Sequence, residues 1–219
     1  MDKDKSLLNG KGEDDISWIT TDTGAHVPIK DGQTKAAAIE EHFEEKHIDE
    51  EQSFGEQVDK ILDGTYKDSH ITVLKEPPKI LQEIGIPNKP LLMTAKHVYL
   101  AINTEGKYTK EKDHYHGLGK DLFECIPKLL QSPVMVLKNN RAKNEIIAVL
   151  NWHDSNKNML IAPIKINGRG NQNFIEVEAN IVKSTYGRTN FKKFINDNFT
   201  QDDILAVQNK KIHDFNLED

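Results

Sequence analysis

Residues 183–188 read KSTYGR, with a cation at each end of two hydroxyls, a phenol and a glycine. Lys183 and Arg188 suit a phosphate by charge and geometry, Ser184 and Thr185 are hydroxyl donors, and Tyr186 offers a donor or a stacking face. The plainer reading of the same six residues is a strand end, a turn and a helix start. No G-x-S-x-G surrounds Ser184, so a serine-hydrolase elbow is excluded. Paired-carboxylate chemistry fits no better, because acidic residues are sparse in the C-terminal half.

Nine histidines are present. His42 and His47 lie on an acidic helix, His153 in a turn, and His26 and His70 in or beside short strands; for these a structural role is expected. His97 differs, because it follows the strand LLMT by three residues and falls in the first turn of a helix. A strand edge and a helix N-terminus converge there, which attracts anions and favours the neutral imidazole that a base needs. The alternative for His97 is a half-buried ring packed on the sheet. His114 and His116, in DHYHG, have the spacing of two that holds a metal on a strand but not on a helix face, and no third ligand accompanies them. Neither metal nor cofactor is expected. A loop histidine beside glycine can instead swing over a substrate as acid or base, and His116, next to Gly117 and Leu118, is better placed for this than His114.

The elements that must position these residues follow from capping and periodicity. Residues 1–15 are polar and glycine-punctuated, and disorder is expected for them. ISWITTDTGAHVPIKDG alternates as a short hairpin with TDTG at its turn, and Thr34 caps the acidic helix KAAAIEEHFEEKH. SFGE (53–56) is a capping box opening a helix that stops at Gly64. Then come a strand at ITVLK, a helical turn at PKILQEIG, the strand LLMT and the helix AKHVYLAI. A surface loop is expected over 103–117. Leu122, Phe123, Ile126, Leu129 and Leu130 have helical spacing, with Pro127 as a kink. Four strands follow (PVMVLK, EIIAVLNW, MLIAPIKI and FIEVEANIVKS), separated by KNNRAKN, HDSNKN and NGRGNQN, which read as hairpin connections. Thr189 starts a last helix, and DDILAVQNKKIHDF is a strand or a helix. The expected fold class is α+β, with N-terminal helices followed by an antiparallel β-sheet with flanking helices.

In 219 residues, 37% are hydrophobic and 29% charged, and the mean hydropathy is −0.64. No apolar run reaches the roughly 20 residues of a membrane span. One cysteine, Cys125, excludes an internal disulfide and any cysteine-based zinc site. The opening residues lack the apolar centre of a secretory signal. The net charge of −6 is uneven: residues 1–60 carry 7 Lys/Arg against 16 Asp/Glu, while 138–193 carry 10 against 4. An acidic front and a basic back differ in the partners they attract.

LLMTAKHV, DHYHGL, IPKLLQSPVMVL and NIVKSTYGRTNF, in that order, resemble the C-terminal domain of phage MuF-type head proteins. That domain is similar to predicted phage nucleases grouped with barnase, EndoU, colicin-type and RelE-like toxins (the BECR fold). The resemblance spans 53–215, which is expected to be the toxin domain. Residues 16–50 would form a hairpin-plus-helix module of the kind that precedes toxin domains in phage polypeptides. The resemblance implies a metal-independent ribonuclease. His97 and His116 would supply base and acid, with Ser184 and Tyr186 also catalytic, and Lys183, Thr185 and Arg188 would bind substrate. RNA and a cognate immunity or antitoxin protein are the implied partners, with no membrane. The location would be the cytoplasm of the producing or target bacterium, or the virion. Two alternatives stand beside it: a non-catalytic virion-associated or protein-binding module, and a nuclease of this fold acting on DNA.

Overall fold

The computed structural model describes residues 17–20, 26–29, 32–34, 37, 38, 41, 53–102 and 117–208. The chain divides into two units, Met1–Asp49 and Glu50–Asp219. In the first, β1 (Ser17–Thr20) and β2 (His26–Ile29) pair antiparallel from Ser17↔Ile29 to Thr20↔His26, as their alternation predicts. Thr34 also caps as expected: its Oγ1 accepts the Ala37 amide at 3.2 Å, satisfying one of the orphan donors of a helix start.

The second unit begins with helices. α1, over 53–62, buries Phe54, Val58 and Ile61 at helical spacing and stops at Gly64, whose φ of +80° a side chain would resist. β3 (His70–Leu74), α2 (Lys79–Glu83), β4 (Leu91–Thr94) and α3 (Ala95–Ile102) follow. The apolar run 120–131 is broken, as Pro127 predicts, into α4 (Lys120–Glu124) and α5 (Ile126–Gln131). Proline has no amide to give to the preceding turn, so the first helix ends at Cys125. Phe123, Ile126 and Leu130 still bury on one side.

Six more strands complete the sheet: β5 (Met135–Lys138), β6 (Glu145–His153), β7 (Met159–Gln172), β8 (Ile175–Val182), β9 (Tyr186–Arg188) and β10 (Ile204–Val207). α6 (Phe191–Asn198) lies between the last two, two residues later than Thr189 suggests. The strand order is β10-β5-β6-β7-β8-β4-β3, with β9 paired to β7. The fold is α+β, helices first and then the sheet.

Two features depart from the sequence reading. The sheet is mixed rather than wholly antiparallel, because β4 runs parallel to β8 from Leu91↔Asn180 to Met93↔Val182. LLMT is an unalternating apolar run, as suits a strand covered on both faces. The segment NGRGNQ is also not a hairpin connection. β7 continues through it, with a register shift between Lys165 and Gly168, and the turn falls at Asn173 and Phe174, which have φ of +51° and +64°. Gly168 and Gly170 are needed for close packing: a Cβ there would lie 2.8 Å from Ile181 Cγ1 and from Leu92 Cδ1 respectively.

Alternation along the strands gives the sheet two different faces. Ile146, Ala148 and Leu150 of β6 join Leu160, Ala162 and Ile164 of β7 in the main core, together with Phe54, Val98, Phe123 and Ile126 from the helices. Ile147 and Val149 turn the other way, into a smaller cluster with Met159 and Ile161, against which Phe191, Phe194 and Ile195 of α6 pack.

Candidate functional site

KSTYGR occupies an irregularity in the sheet. Val182 ends β8 opposite Ile164 of β7, and Tyr186 opens β9 opposite Ile161 of the same strand. Four steps along the chain therefore meet three along β7, which is a one-residue bulge at 183–185. The bulge takes the Thr185 amide out of the ladder, and that donor must be satisfied elsewhere. His97 satisfies it: the Thr185 amide donates to His97 Nε2 at 3.0 Å. An accepting Nε2 carries no hydrogen, so the neutral ring holds its proton on Nδ1. His97 is 3% exposed, and its ring centroid lies 6.1 Å from that of Phe123. It does stand in the first turn of α3, as its position after LLMT predicts, but buried between helix and sheet.

The remaining members of the motif separate by face. Tyr186 packs with the smaller cluster, and Arg188 lies two residues on, with its Cζ 4.3 Å from the centroid of Phe194 on α6. This cation–π contact is worth about 0.5–2 kcal/mol. Lys183 Nζ is 2.7 Å from Glu145 Oε1. Gly187 faces the hairpin between β6 and β7, where a Cβ would stand 2.0 Å from Asp154 Oδ2. Its absence of a side chain is what admits that carboxylate. Ser184 is half-buried, while Thr185 is fully buried.

Two buried polar atoms in this segment have no partner among the described residues, Thr185 Oγ1 and Arg188 Nε. Such atoms are rare in folded proteins and mark places where a water or a ligand oxygen would be held. His97 and Thr185 are thus brought together on one side, and Lys183, Tyr186 and Arg188 on the other. His116, like the rest of 103–116, lies outside the described residues. The Leu118 amide donates to Ala101 O at 2.8 Å near the end of α3. Over the five residues from His97 to Ile102 a helix rises about 7.5 Å.

Lys192 and Lys193 begin α6 beside Asn190, which is left-handed at φ +51°, and Lys193 pairs with Asp197 at 2.8 Å. No group of three or more His, Cys, Asp or Glu among the described residues is arranged to hold a metal. No helix among them is long and apolar enough to cross a membrane.

The order of these elements from the loop onward has a counterpart. Residues 107–214 match the phage MuF C-terminal domain. The match runs from the loop through α4, α5 and all strands from β5 to β10, and relates this chain to phage proteins over that segment. It includes the KSTYGR bulge and His116 but not α3 with His97, nor β3 and β4. No curated protein and no solved structure matches the chain.

Sequence reasoning passed over Glu145 and Asp154. Asp154 was legible in HDSNKN, where an aspartate two and four residues before asparagines forms a side-chain turn: Oδ1 accepts the amides of Asn156 and Asn158, both at 2.8 Å. Glu145 carries no local signal, since its partner Lys183 is 38 residues away.

Proposed function

We propose that the second unit of the chain is a phage-related nuclease domain that cleaves RNA without a metal, by attack of the ribose 2′-hydroxyl on the adjacent phosphate. One observation carries the reading: the bulge at 183–185 leaves Lys183, Tyr186 and Arg188 on a single sheet face. Two cations and a phenol on a rigid strand are what phosphate contact and charge stabilisation at a phosphorane need. The phage MuF match over the same segment supports the phage relation in this reading.

The roles divide as follows. Lys183 and Arg188 take the phosphate, Tyr186 and Ser184 donate to its oxygens or stack a base, and His116 protonates the leaving 5′-oxygen. Thr185 is buried on the opposite side, where its unpartnered Oγ1 would hold a water rather than substrate. His97, with Nε2 already accepting from Thr185, is a positioning residue for the bulge; proton abstraction by that nitrogen would first require the bond to open. An enzyme of this class is a toxin to the cell that holds it, and a dedicated immunity protein would be its protein partner. Its place of action is the bacterial cytoplasm, reached from within or from a virion.

A second reading has its own support. His97 and Lys183 are both engaged inside the protein, as in a non-catalytic virion-associated module whose polar cluster is structural. Incubating the purified chain with total cellular RNA in EDTA separates the two. The nuclease reading expects fragments with 2′,3′-cyclic phosphate and 5′-hydroxyl ends, and a large loss in a folded Ser184→Ala/Tyr186→Phe protein. Intact RNA from the wild type would favour the module. Cleavage of DNA, which has no 2′-hydroxyl, would move the assignment to a nuclease of another mechanism.

A further inference from the structure

Glu145 opens β6, and alternation puts it on the face of Ile147 and Val149, the one on which α6 packs. Register carries that row to Lys165 of β7 and then to Ile181 of β8. Lys183, two residues beyond Ile181, shares the face. The Glu145 side chain is only 8% exposed, although it stands at a strand end where a carboxylate could reach water. Lys183 Nζ donates to its Oε1 at 2.7 Å and Asn139 Nδ2 to its Oε2 at 3.1 Å. Lys183 itself is 49% exposed, so this lysine is a half-solvated cover over a nearly enclosed carboxylate. A covered ion pair contributes little net stability, because desolvation offsets most of the attraction. A structural explanation for keeping Glu145 is therefore weak. An enclosed carboxylate within hydrogen-bond reach of a cation that a substrate can draw away is a geometry suited to proton transfer.

We infer that Glu145 is the general base of the site, uncovered when substrate phosphate draws Lys183 away from it. This rests on the ribonuclease reading above and supplies the group that His97, with Nε2 in use, does not. A phosphate offers Lys183 a charge-assisted hydrogen bond at least as good as the one to Glu145. Once the ammonium turns to the phosphate, Oε1 has a free lone pair on the same face as Tyr186 and Arg188. The 2′-hydroxyl gives its proton to that oxygen while its own oxygen bonds to phosphorus. The bond from phosphorus to the 5′-oxygen breaks, and the leaving oxygen takes a proton from the general acid of that reading. Glu145 then passes its proton back to that acid through water, returning the carboxylate and leaving a 2′,3′-cyclic phosphate.

The test is cleavage of a short single-stranded RNA across pH by the full chain, with wild type, Glu145→Gln and Glu145→Asp compared. Glu145→Gln keeps the shape and can still bond Asn139, but cannot accept the proton. Its kcat should fall about 100-fold or more with KM within about two-fold. The acidic limb of the wild-type pH–rate profile should vanish with it. Glu145→Asp keeps a carboxylate and its charge at this position and guards against a folding effect; it should melt close to the wild type and cleave slowly with the limb retained. A wild type that cleaves RNA, beside a Glu145→Gln protein with unchanged kcat and pH profile, overturns this inference and leaves the ribonuclease reading standing. A wild type that cleaves no RNA at any pH overturns both.

Discussion

Replacing Gly187 with alanine tests the packing that holds the KSTYGR strand. A Cβ at 187 would lie 2.0 Å from Asp154 Oδ2, 2.5 Å from its Cγ and 2.9 Å from Asn158 Cβ, where ordinary contact begins near 3.4 Å. The carboxylate would have to retreat by roughly 1.4 Å. It is not free to do so, because it accepts the amides of Asn156 and Asn158 at 2.8 Å and the Asn158 side chain at 3.0 Å. Overpacking of this kind costs about 1–3 kcal/mol, and each surrendered hydrogen bond about 1 kcal/mol. With partial relaxation the expected loss is about 3 kcal/mol. At about 3 °C per kcal/mol for a domain of this size, the melting temperature should drop by about 10 °C. Thermal unfolding followed by circular dichroism measures it. Asp154→Ala should be costly in the native background but nearly free in the Gly187→Ala protein, with a coupling above about 1 kcal/mol in the double-mutant cycle. A Gly187→Ala protein melting within about 2 °C of wild type would refute the close approach.

Other expectations follow from single contacts. Asn180 is fully buried, with Nδ2 donating to Pro87 O and Lys89 O and Oδ1 accepting the Asn167 amide. Asn180→Ala should cost about 2–4 kcal/mol in chemical denaturation, since each orphaned group carries about 1–3 kcal/mol. Burial lowers the His70 pKa from its ordinary value against a weaker opposite pull from Asp68, and its Nδ1 accepts the Asn171 amide at 3.3 Å. With the folded pKa below the unfolded one, the unfolded chain binds more protons. Stability should therefore fall as pH drops below about 6.5, and His70→Gln should flatten that slope in melts between pH 5 and 8. If Lys192 and Lys193 contact RNA phosphates, replacing both with glutamine should reduce the dependence of log affinity on log salt by about 1.4 for single-stranded RNA. An unchanged slope in a binding titration would remove them from the interface.

Much of the scaffold was legible from local signals. The first hairpin, the Thr34 cap, the stop at Gly64, the break before Pro127 and most of the strand segments along the chain all rest on residues within a turn or two of one another. What was missed rests on partners far away in sequence. Glycine and asparagine in NGRGNQ read as a turn, yet Gly168 and Gly170 make room for Ile181 and Leu92, which no short window contains. The parallel pairing of LLMT with β8 and the bulge at 183–185 are register facts, visible only once three strands are aligned. KSTYGR stands out in the sequence by its residue types alone. Its separation into Thr185 on the helix side and Lys183, Tyr186 and Arg188 on the other depends on that bulge.

The parallel contact between β4 and β8 also sets a schedule for the molecule as it leaves the ribosome. Leu91, Leu92 and Met93 emerge early, but their partners Asn180, Ile181 and Val182 follow about ninety residues later. At about 5–20 residues per second, that interval lasts roughly 5–20 s. During it the apolar faces of β3, β4 and the first helices have no sheet to cover them. His97 waits over the same interval for the amide of Thr185. A chain that stalls or is cut before residue 182 therefore holds neither its core nor its bulge. Whatever chemistry the KSTYGR face performs begins only once the chain has been made through Arg188.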